Sequence, residues 1–494
     1  MPPSSNAPPR FEKLRRWGNL AFWIYLLVLV VLFGTSLNYA DSDLWHRFAL
    51  YDFIVHTGHF PPGDAFSYQA YPQVVPDHEW GSAFIFYPVY FWGGGFSLIL
   101  LKLVTLGITL ALTVRAGVGN RSPTMLQAFF YSLVLLALLS AFLSTLRSEV
   151  FTHLFFALWV LWFQRERHGH PVAPIWYLLT TIVWANLHPG FVLGLTWLAV
   201  LAIIDFFTGG SWKHRLGILA LCLLATLINP FGYELWVGVF RAFAISRAAF
   251  EEWAPVPWIH PANTFSGYKL IVLWMIPVVF LRIRSRGWNR CDQAAVILLA
   301  LFLVPSLLQA RQTSIFAIVA GGLLPALFPR ETALAEIREW KPWLHRVIVR
   351  SILVLLPLVF ALKLLPTNQG FHLVYPPSTC PAQAVAYLRD KGVTGKLLVG
   401  FNSGSYALWA LHNQMRVSMD GRYEVVYRPE TFANVQHFFN GDAQWQSALA
   451  ALAPDAILVN LSDGVYPQLL ADSDWIQAYH DTAQAVFLPA TGKR

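Results

Sequence analysis

Charge is scarce in this chain. Aspartate, glutamate, lysine and arginine together make up 13% of its 494 residues, about half the roughly 25% of an ordinary soluble domain. Cysteine is scarcer still. Cys222, Cys291 and Cys380 stand far apart and imply neither a disulfide framework nor a cysteine metal site. The first apolar run also lacks a small-residue cleavage site and is too long for a signal-peptide core. What fills the chain instead is apolar: 56% hydrophobic and 15% aromatic residues, with a mean hydropathy of +0.48. That is the composition of a polytopic membrane protein. The net charge of +8 marks loops on one side of the membrane, not a nucleic-acid footprint, and no nucleic-acid partner is expected.

Apolar runs predict spans near residues 19–38, 96–115, 125–145, 149–164, 173–187, 190–207, 214–231, 268–283, 292–308, 312–328 and 348–365, close to the roughly 20 residues that cross the hydrocarbon. Basic clusters punctuate every second connection: Arg10 to Arg16, Arg115 and Arg121, Arg165 and Arg167, Lys213 and Arg215, Arg282 to Arg290, and Arg330 to Arg350. By the positive-inside rule the tail 1–18 is cytoplasmic and everything beyond the bundle, 19–366, lies outside. Residues 80–92, ending in three glycines, and the amphipathic 231–250 fit interfacial or re-entrant helices better than plain spans. The bundle should hold about eleven to thirteen helices.

The polar chemistry collects in the outer connections. The first outer loop, 39–92, carries Asp41, Asp43, His46, Asp52, His56, His59, Asp64, Asp77, His78 and Glu79. Arg147, Glu149, His153, His188 and Arg311 emerge on the same side from other helices. Charges beside hydrocarbon are costly and are kept as anchors or as working groups. Aromatic neighbours (Trp45, Phe66, Tyr68 and Trp80) favour a partly buried pocket over a solvated rim. Lys102 sits inside an apolar run; it either snorkels to the interface or reaches a phosphate. "HTGH" at 56–59, with His46 and His78 near, makes zinc conceivable, but no known zinc spacing is present.

From about Tyr375 the composition shifts to a soluble α/β pattern spanning 375–494. "KLLVGF", "RVSM", "AILVN" and "AVFLP" read as strands, and "PAQAVAYLRDKG", "ETFANVQHFF" and "QWQSALAALAP" as helices between them, a small sheet covered by helices. "FNSGSYALWAL" is a weak candidate for phosphate binding. Asp420 and Arg422, two residues apart, suggest an internal ion pair.

Several motifs carry a family resemblance. They are Asp41-Ser-Asp43-Leu-Trp45-His46, Gly58, "GDAFSY" at 63–68, "DHEW" at 77–80, "RSEVFTHLFF" at 147–156, "WANLHPGF" at 184–191, "LINPFGYELW" at 227–236 and "MDGRYEVV" at 419–426. Together they resemble a bacterial family of polytopic proteins related to the GT-C glycosyltransferases, alongside protein mannosyltransferases and lipid A aminoarabinose transferases. The resemblance implies a mostly α transmembrane bundle followed by an extracytoplasmic α/β domain, in the bacterial inner membrane. It implies transfer of a sugar from a polyprenyl-phosphate donor to a glycan, lipid or protein acceptor. Such a displacement needs a carboxylate to take the acceptor's proton and cations near the departing phosphate.

Carried over by residue, Asp43 matches the catalytic acid of the first loop, with Asp41 as rival and Glu79 third. With an ordinary pKa near ~3.9, Asp43 would be ionised at neutral pH. Arg147, His188, Arg311 and Lys102 are the phosphate candidates, and His46, Asp64, His78 and Glu149 complete the pocket. A divalent ion, Mg or Mn, held by Asp41 or Asp43 is possible in this superfamily, and the metal stays open. Two other classes remain: a non-catalytic component of surface polysaccharide assembly or export, and a transporter. A transporter should show paired internal repeats, and no repeat is visible.

Overall fold

The computed structural model describes residues 9–69, 76–142, 146–244, 253–258, 266–285, 289–328, 368–422 and 426–490. Twelve helices precede the C-terminal region among these residues: α1 (Pro9–Gly34), α2 (Ser42–Thr57), α3 (Trp80–Val118), α4 (Met125–Phe142), α5 (Glu149–Arg167), α6 (Pro174–Leu187), α7 (Phe191–Thr208), α8 (Trp212–Ala225), α9 (Glu234–Ala244), α10 (Ser266–Arg284), α11 (Arg290–Leu308) and α12 (Thr313–Leu327). Six of the described helices are long and apolar enough to cross a membrane: α1, α3, α4, α7, α11 and α12. The protein is a multi-pass membrane protein.

Of the remaining predicted spans, four are the helices α5, α6, α8 and α10, which are shorter or carry more charge. Helix α5, for example, runs from Glu149 to Arg165 and Arg167. The predicted span at 348–365 lies outside the described residues. Segment 80–92 is the first part of α3. As a helical piece it is separate all the same: α3 is two helices that meet at a break at Gly93 and Gly94, where the backbone is non-helical and Gly94 has φ 58°. A side chain at Gly94 would be strained, so the glycines end the first helical piece where the sequence places its end. Just before it, Phe91 and Trp92 project outward, 75% and 86% exposed, as aromatics do at headgroup depth.

Helix α12 is the buried centre of the bundle. A Cβ on Gly321 would overlap Thr113 of α3, and one on Gly322 would overlap Val160 of α5. Small residues let membrane helices approach this closely. Around them Tyr131, Trp159, Trp184 and Trp197 are fully buried.

The C-terminal region begins with a strap. Ala40 donates its N–H to the Val374 carbonyl at 2.8 Å, and Val374 donates to the Asn38 carbonyl at 2.7 Å. A five-stranded sheet follows, from β1 (Gly395–Val399), β2 (Met415–Val417), β3 (Ala456–Asn460), β4 (Trp475–His480) and β5 (Gln484–Pro489). Its order is β2-β1-β3-β5-β4. The pairs β1–β2 and β1–β3 are parallel, and β3–β5 and β4–β5 antiparallel. Strand β4 was not anticipated, because its half-exposed "WIQAYH" carries a polar residue at every second or third position. Helices α13 (Ala382–Asp390), α14 (Phe401–Leu411), α15 (Pro429–Asn440), α16 (Trp445–Leu452) and α17 (Tyr466–Ala471) cover the sheet.

This domain is seated on the first outer loop. Trp45 of α2 stacks on Trp409 of α14, centroids 4.9 Å apart, and meets Tyr406 edge-on at 5.0 Å. At the other end, Tyr68 donates its N–H to the Val417 carbonyl at 3.1 Å, and Val417 donates to that of Phe66 at 3.0 Å. The loop therefore adds a short bridge to the edge strand β2. The "FNSGSYALWAL" segment is α14 itself. Its Gly404 has no room for a Cβ against the Met419 carbonyl, so the glycine serves close packing and not a phosphate.

Candidate active site

The site is built from the first turn of α2. Asp41 is the helix cap: its Oδ1 accepts the N–H of Asp43 at 3.0 Å, satisfying a donor that the helix leaves free. Its Oδ2 takes the Nε–H of Arg147 at 2.6 Å. Asp43, two residues on, points elsewhere. Among the described residues no hydrogen bond reaches its carboxylate. Asp43, His46, Arg47 and Leu50 follow the i, i+3, i+4, i+7 spacing of one helix face, and all four line a cavity of about 300 Å³.

Below that face, Arg47 holds two carboxylates. It donates to Asp77 Oδ1 and Oδ2 at 2.6 and 2.8 Å and is ion-paired with Glu79. His188 comes from the α6–α7 turn, its Nε2 3.4 Å from Glu79 Oε1. Its orientation is fixed behind. Gly190 donates a backbone N–H to His188 Nδ1 at 3.0 Å, and Thr152, itself accepting from Trp184 Nε1, bonds the same nitrogen at 2.7 Å. Because Nδ1 accepts, the imidazole proton sits on Nε2, facing Glu79. His46 lies 3.6 Å from Asp77, and His78 Nε2 3.9 Å from Glu79. The Nδ1 of His78 is buried with no partner among the described residues.

Two more guanidinium pairs close the walls. Arg311 donates to Glu149 Oε2 at 2.9 Å and lies over the Trp253 ring. Arg422, from the C-terminal domain, donates to buried Asp420 at 2.7 and 2.6 Å, and also to Asp64 Oδ1 of the first loop at 2.7 Å. The internal pair expected between Asp420 and Arg422 is present, with a second partner that no local spacing announced. The same cavity is also lined by the apolar Val192, Leu193, Val239, Ala242 and Ile315.

The electrostatics separate the carboxylates. Burial pushes the Asp43 carboxyl up and the negative charge of Asp41 pushes it further; Arg147 and Arg47 do not offset this, and its pKa stands at about 7. Asp43 is therefore not an ordinary ionised aspartate at neutral pH. Burial raises Glu79 as well, but Arg47, with His188 and His78, outweighs that and holds it well below the carboxylate range. Asp77 is likewise held down, by Arg47 and His46, against its burial. Burial lowers His188 to about 4 despite Glu79 and Glu149 nearby, so it is a neutral imidazole. Perturbation of this size in a cleft marks a functional site more often than not.

The predicted site residues divide accordingly. Asp43, His46, Asp64, His78, Glu79, Glu149, His188 and Arg311 line the one cavity. Asp41 and Arg147 stand beside it, bonded to each other. Lys102 is elsewhere: its Nζ is locked onto the Leu37 carbonyl at 3.0 Å and Asn38 Oδ1 at 2.7 Å, so it ties α3 to the end of α1 instead of facing the cavity. Arg47 and Arg422 were missed as wall residues. For Arg47 the four-residue step from Asp43 was a usable signal; for Arg422, whose first-loop partner is 358 positions away, there was none. No group of three or more His, Cys, Asp or Glu among the described residues is placed to hold a metal ion. Of the two carboxylates offered to Mg or Mn by the sequence, Asp41 is engaged by Arg147 and Asp43 faces the cavity.

No protein-family model matches the chain, and no curated protein matches its sequence. Its fold is that of solved GT-C glycosyltransferases. ArnT from Cupriavidus metallidurans bound to undecaprenyl phosphate matches 98% of this chain over 99% of its own, with TM-score 0.53 and 13% identity. The same protein in the apo state matches 94% over 97%, with TM-score 0.54 and 13% identity. Arabinofuranosyltransferase AftD from Mycobacteria matches 96% of this chain but only 41% of its own, with TM-score 0.56 and 14% identity. At such identities the likeness is one of fold.

Proposed function

We propose that this protein is an integral membrane glycosyltransferase of the bacterial cytoplasmic membrane. It moves a sugar from a polyprenyl-phosphate donor to an acceptor hydroxyl outside the cytoplasm. The observation that carries the reading is Asp43: a half-buried carboxylate with no hydrogen bond among the described residues, poised near neutrality in a cavity lined by both charged and apolar side chains. Support comes also from the fold it shares with ArnT bound to undecaprenyl phosphate.

In the proposed step the acceptor oxygen attacks the anomeric carbon. The carbon–oxygen bond to phosphate breaks with its electron pair passing to the phosphate, and Asp43 takes the hydroxyl proton. The products are the glycosylated acceptor and polyprenyl phosphate. A general base works best with a pKa near the working pH, which is where Asp43 stands. Arg311 is the wall guanidinium we assign to the phosphate, exchanging part of its contact with Glu149 for a charge-assisted bond to the donor. Neutral His188 faces Glu79 with its Nε2–H, 3.4 Å away. The apolar side chains of the cavity take the first isoprene units, whose remaining length stays in lipid.

The test combines binding with cell chemistry. Purified protein in lipid nanodiscs is titrated with undecaprenyl phosphate, and envelope glycans, lipids and proteins are weighed by mass spectrometry in a deletion strain. The reading expects saturable binding weakened by Arg311→Ala. It also expects one sugar-sized mass loss restored by the wild-type gene and not by Asp43→Asn. Restoration by Asp43→Asn would make the protein a scaffold or a transporter.

A further inference from the structure

The Asp43 carboxylate has a neighbour that does not belong to the membrane bundle. A Cβ placed on Gly421, in the C-terminal domain, would stand 2.5 Å from Asp43 Oδ1 and 3.3 Å from Ser405 Oγ. The domain's backbone thus lies directly on the proposed base. Gly421 does not hydrogen-bond to it, because the N–H of Gly421 is donated to the buried Ser405 hydroxyl at 3.1 Å. On either side the turn is pinned. Asp420 is fully buried and receives the Tyr427 hydroxyl at 2.6 Å. Arg422 clamps Asp420 to Asp64 of the first loop and lies over the Phe66 ring at 5.4 Å. A turn anchored at both flanks, with its donor diverted, presents only Cα–H to a carboxylate.

We propose that the Asp420–Arg422 turn of the C-terminal domain is a positioning element of the catalytic centre, with Gly421 packing against the Asp43 carboxylate and fixing it from that side. The domain then completes the site, and glycine at 421 lets the turn approach the base without displacing it, since a Cβ there would make the Asp43 carboxylate shift. Gly421 is not among the glycines with positive φ, so alanine meets no backbone penalty there. Its added methyl acts on Asp43 and, more weakly, on Ser405. Relieving the 2.5 Å contact to an ordinary one near 3.4 Å moves the carboxylate by about 1 Å, a displacement that can cost about 10²-fold in rate.

The inference rests on the reading of Asp43 as base, so its experiment is chosen to work without turnover. In full-length protein in nanodiscs, the protonated-carboxyl infrared band lost in Asp43→Asn is titrated. The wild type should give a midpoint near pH 7. In Gly421→Ala, where the side chain is pushed into the open cavity, the midpoint should fall by at least about one unit. Undecaprenyl phosphate binding, used as a second probe, should stay within about twofold, because the substitution removes none of the side chains assigned to the donor. Ser405→Ala frees the Gly421 N–H to face the carboxylate and should lower the midpoint too, which keeps the test available if Gly421→Ala does not fold. An unchanged midpoint in a folded Gly421→Ala protein overturns the inference. An Asp43→Asn protein that restores the cell chemistry while Gly421→Ala still shifts the midpoint overturns the base assignment and leaves the turn's contact standing.

Discussion

Arg147 and Asp41 are bonded at 2.6 Å, Nε to Oδ2, and this single contact separates two aspartates that the sequence places almost side by side. Asp41 is occupied twice over, by a guanidinium and by the N–H of Asp43. A carboxylate so engaged is a poor proton acceptor and a good brace.

The two should therefore fail differently when neutralised. Asp43→Asn keeps shape and should cut turnover by about 10²–10⁴, with little change in undecaprenyl phosphate binding. Asp41→Asn can still cap α2, but it weakens the Arg147 contact and removes a charge that raises Asp43. Its loss of activity should be smaller, and its apparent melting temperature should drop. Transfer from a radiolabelled polyprenyl-phosphate sugar, read beside thermal unfolding in nanodiscs, separates the pair. A dead Asp41→Asn protein with a fully active Asp43→Asn one would reverse the assignment.

Arg47 is the residue on which the acidic floor depends. Removing one member of a buried ion cluster costs about 3–5 kcal/mol, because the partners stay charged without compensation. Arg47→Met should thus lower thermal stability sharply. The triple variant Arg47→Met, Asp77→Asn, Glu79→Gln should recover much of it, since no charge is then left stranded. Equal instability of the single and triple variants would mean that Arg47 acts through packing instead.

How much of this was readable in advance depends on distance along the chain. Apolar runs locate helices directly, so α4, α7, α11 and α12 fall where hydropathy puts them. The acid-rich first loop likewise announces a pocket, because Asp43 to Glu79 is one continuous segment. Partner choice does not follow from such patterns. Lys102 reads as a cation near the outer face, yet two oxygens from the end of α1 hold it inside the bundle. Asp64 reads as a pocket acid, and its partner Arg422 arrives only once the C-terminal domain has docked. The pKa of Asp43 was misjudged for the same reason, since the residues that desolvate it are brought in by the fold.

The opposite perturbations of Asp43 and Glu79 give opposite pH signatures. Glu79 is depressed, so its contribution is present above the unfolded value, ~4.3, and is lost as pH falls through the lower folded one. Asp43 is raised to about 7. Its contribution is full below the unfolded value, ~3.9, and is lost as pH rises through 7. Asp43→Asn should consequently melt higher than wild type above about pH 7 and equal to it below about pH 4. Glu79→Gln should instead be less stable than wild type at neutral pH, with the difference closing on acidification. Thermal scans between these limits check both, and parallel curves for the wild type and Asp43→Asn would refute the raised pKa.

Orientation in the membrane is the last expectation. The first loop and the C-terminal domain share hydrogen bonds at Phe66, Tyr68 and Val417, so they must lie on one side, and the basic connections argue that the side is outside. Asp64 would be a poor reporter despite its place in the loop, because its carboxylate is buried against Arg422. His59 and Gln444 are exposed in the loop and the domain, and His170 is exposed in the α5–α6 connection beside Arg165 and Arg167. Each can be replaced by cysteine in a Cys291→Ser background, since Cys222 and Cys380 are buried. In intact spheroplasts an impermeant maleimide should label His59→Cys and Gln444→Cys. His170→Cys should react only after permeabilisation. Labelling of His170→Cys alone would invert the protein, and would put the proposed base and its acceptor in the cytoplasm.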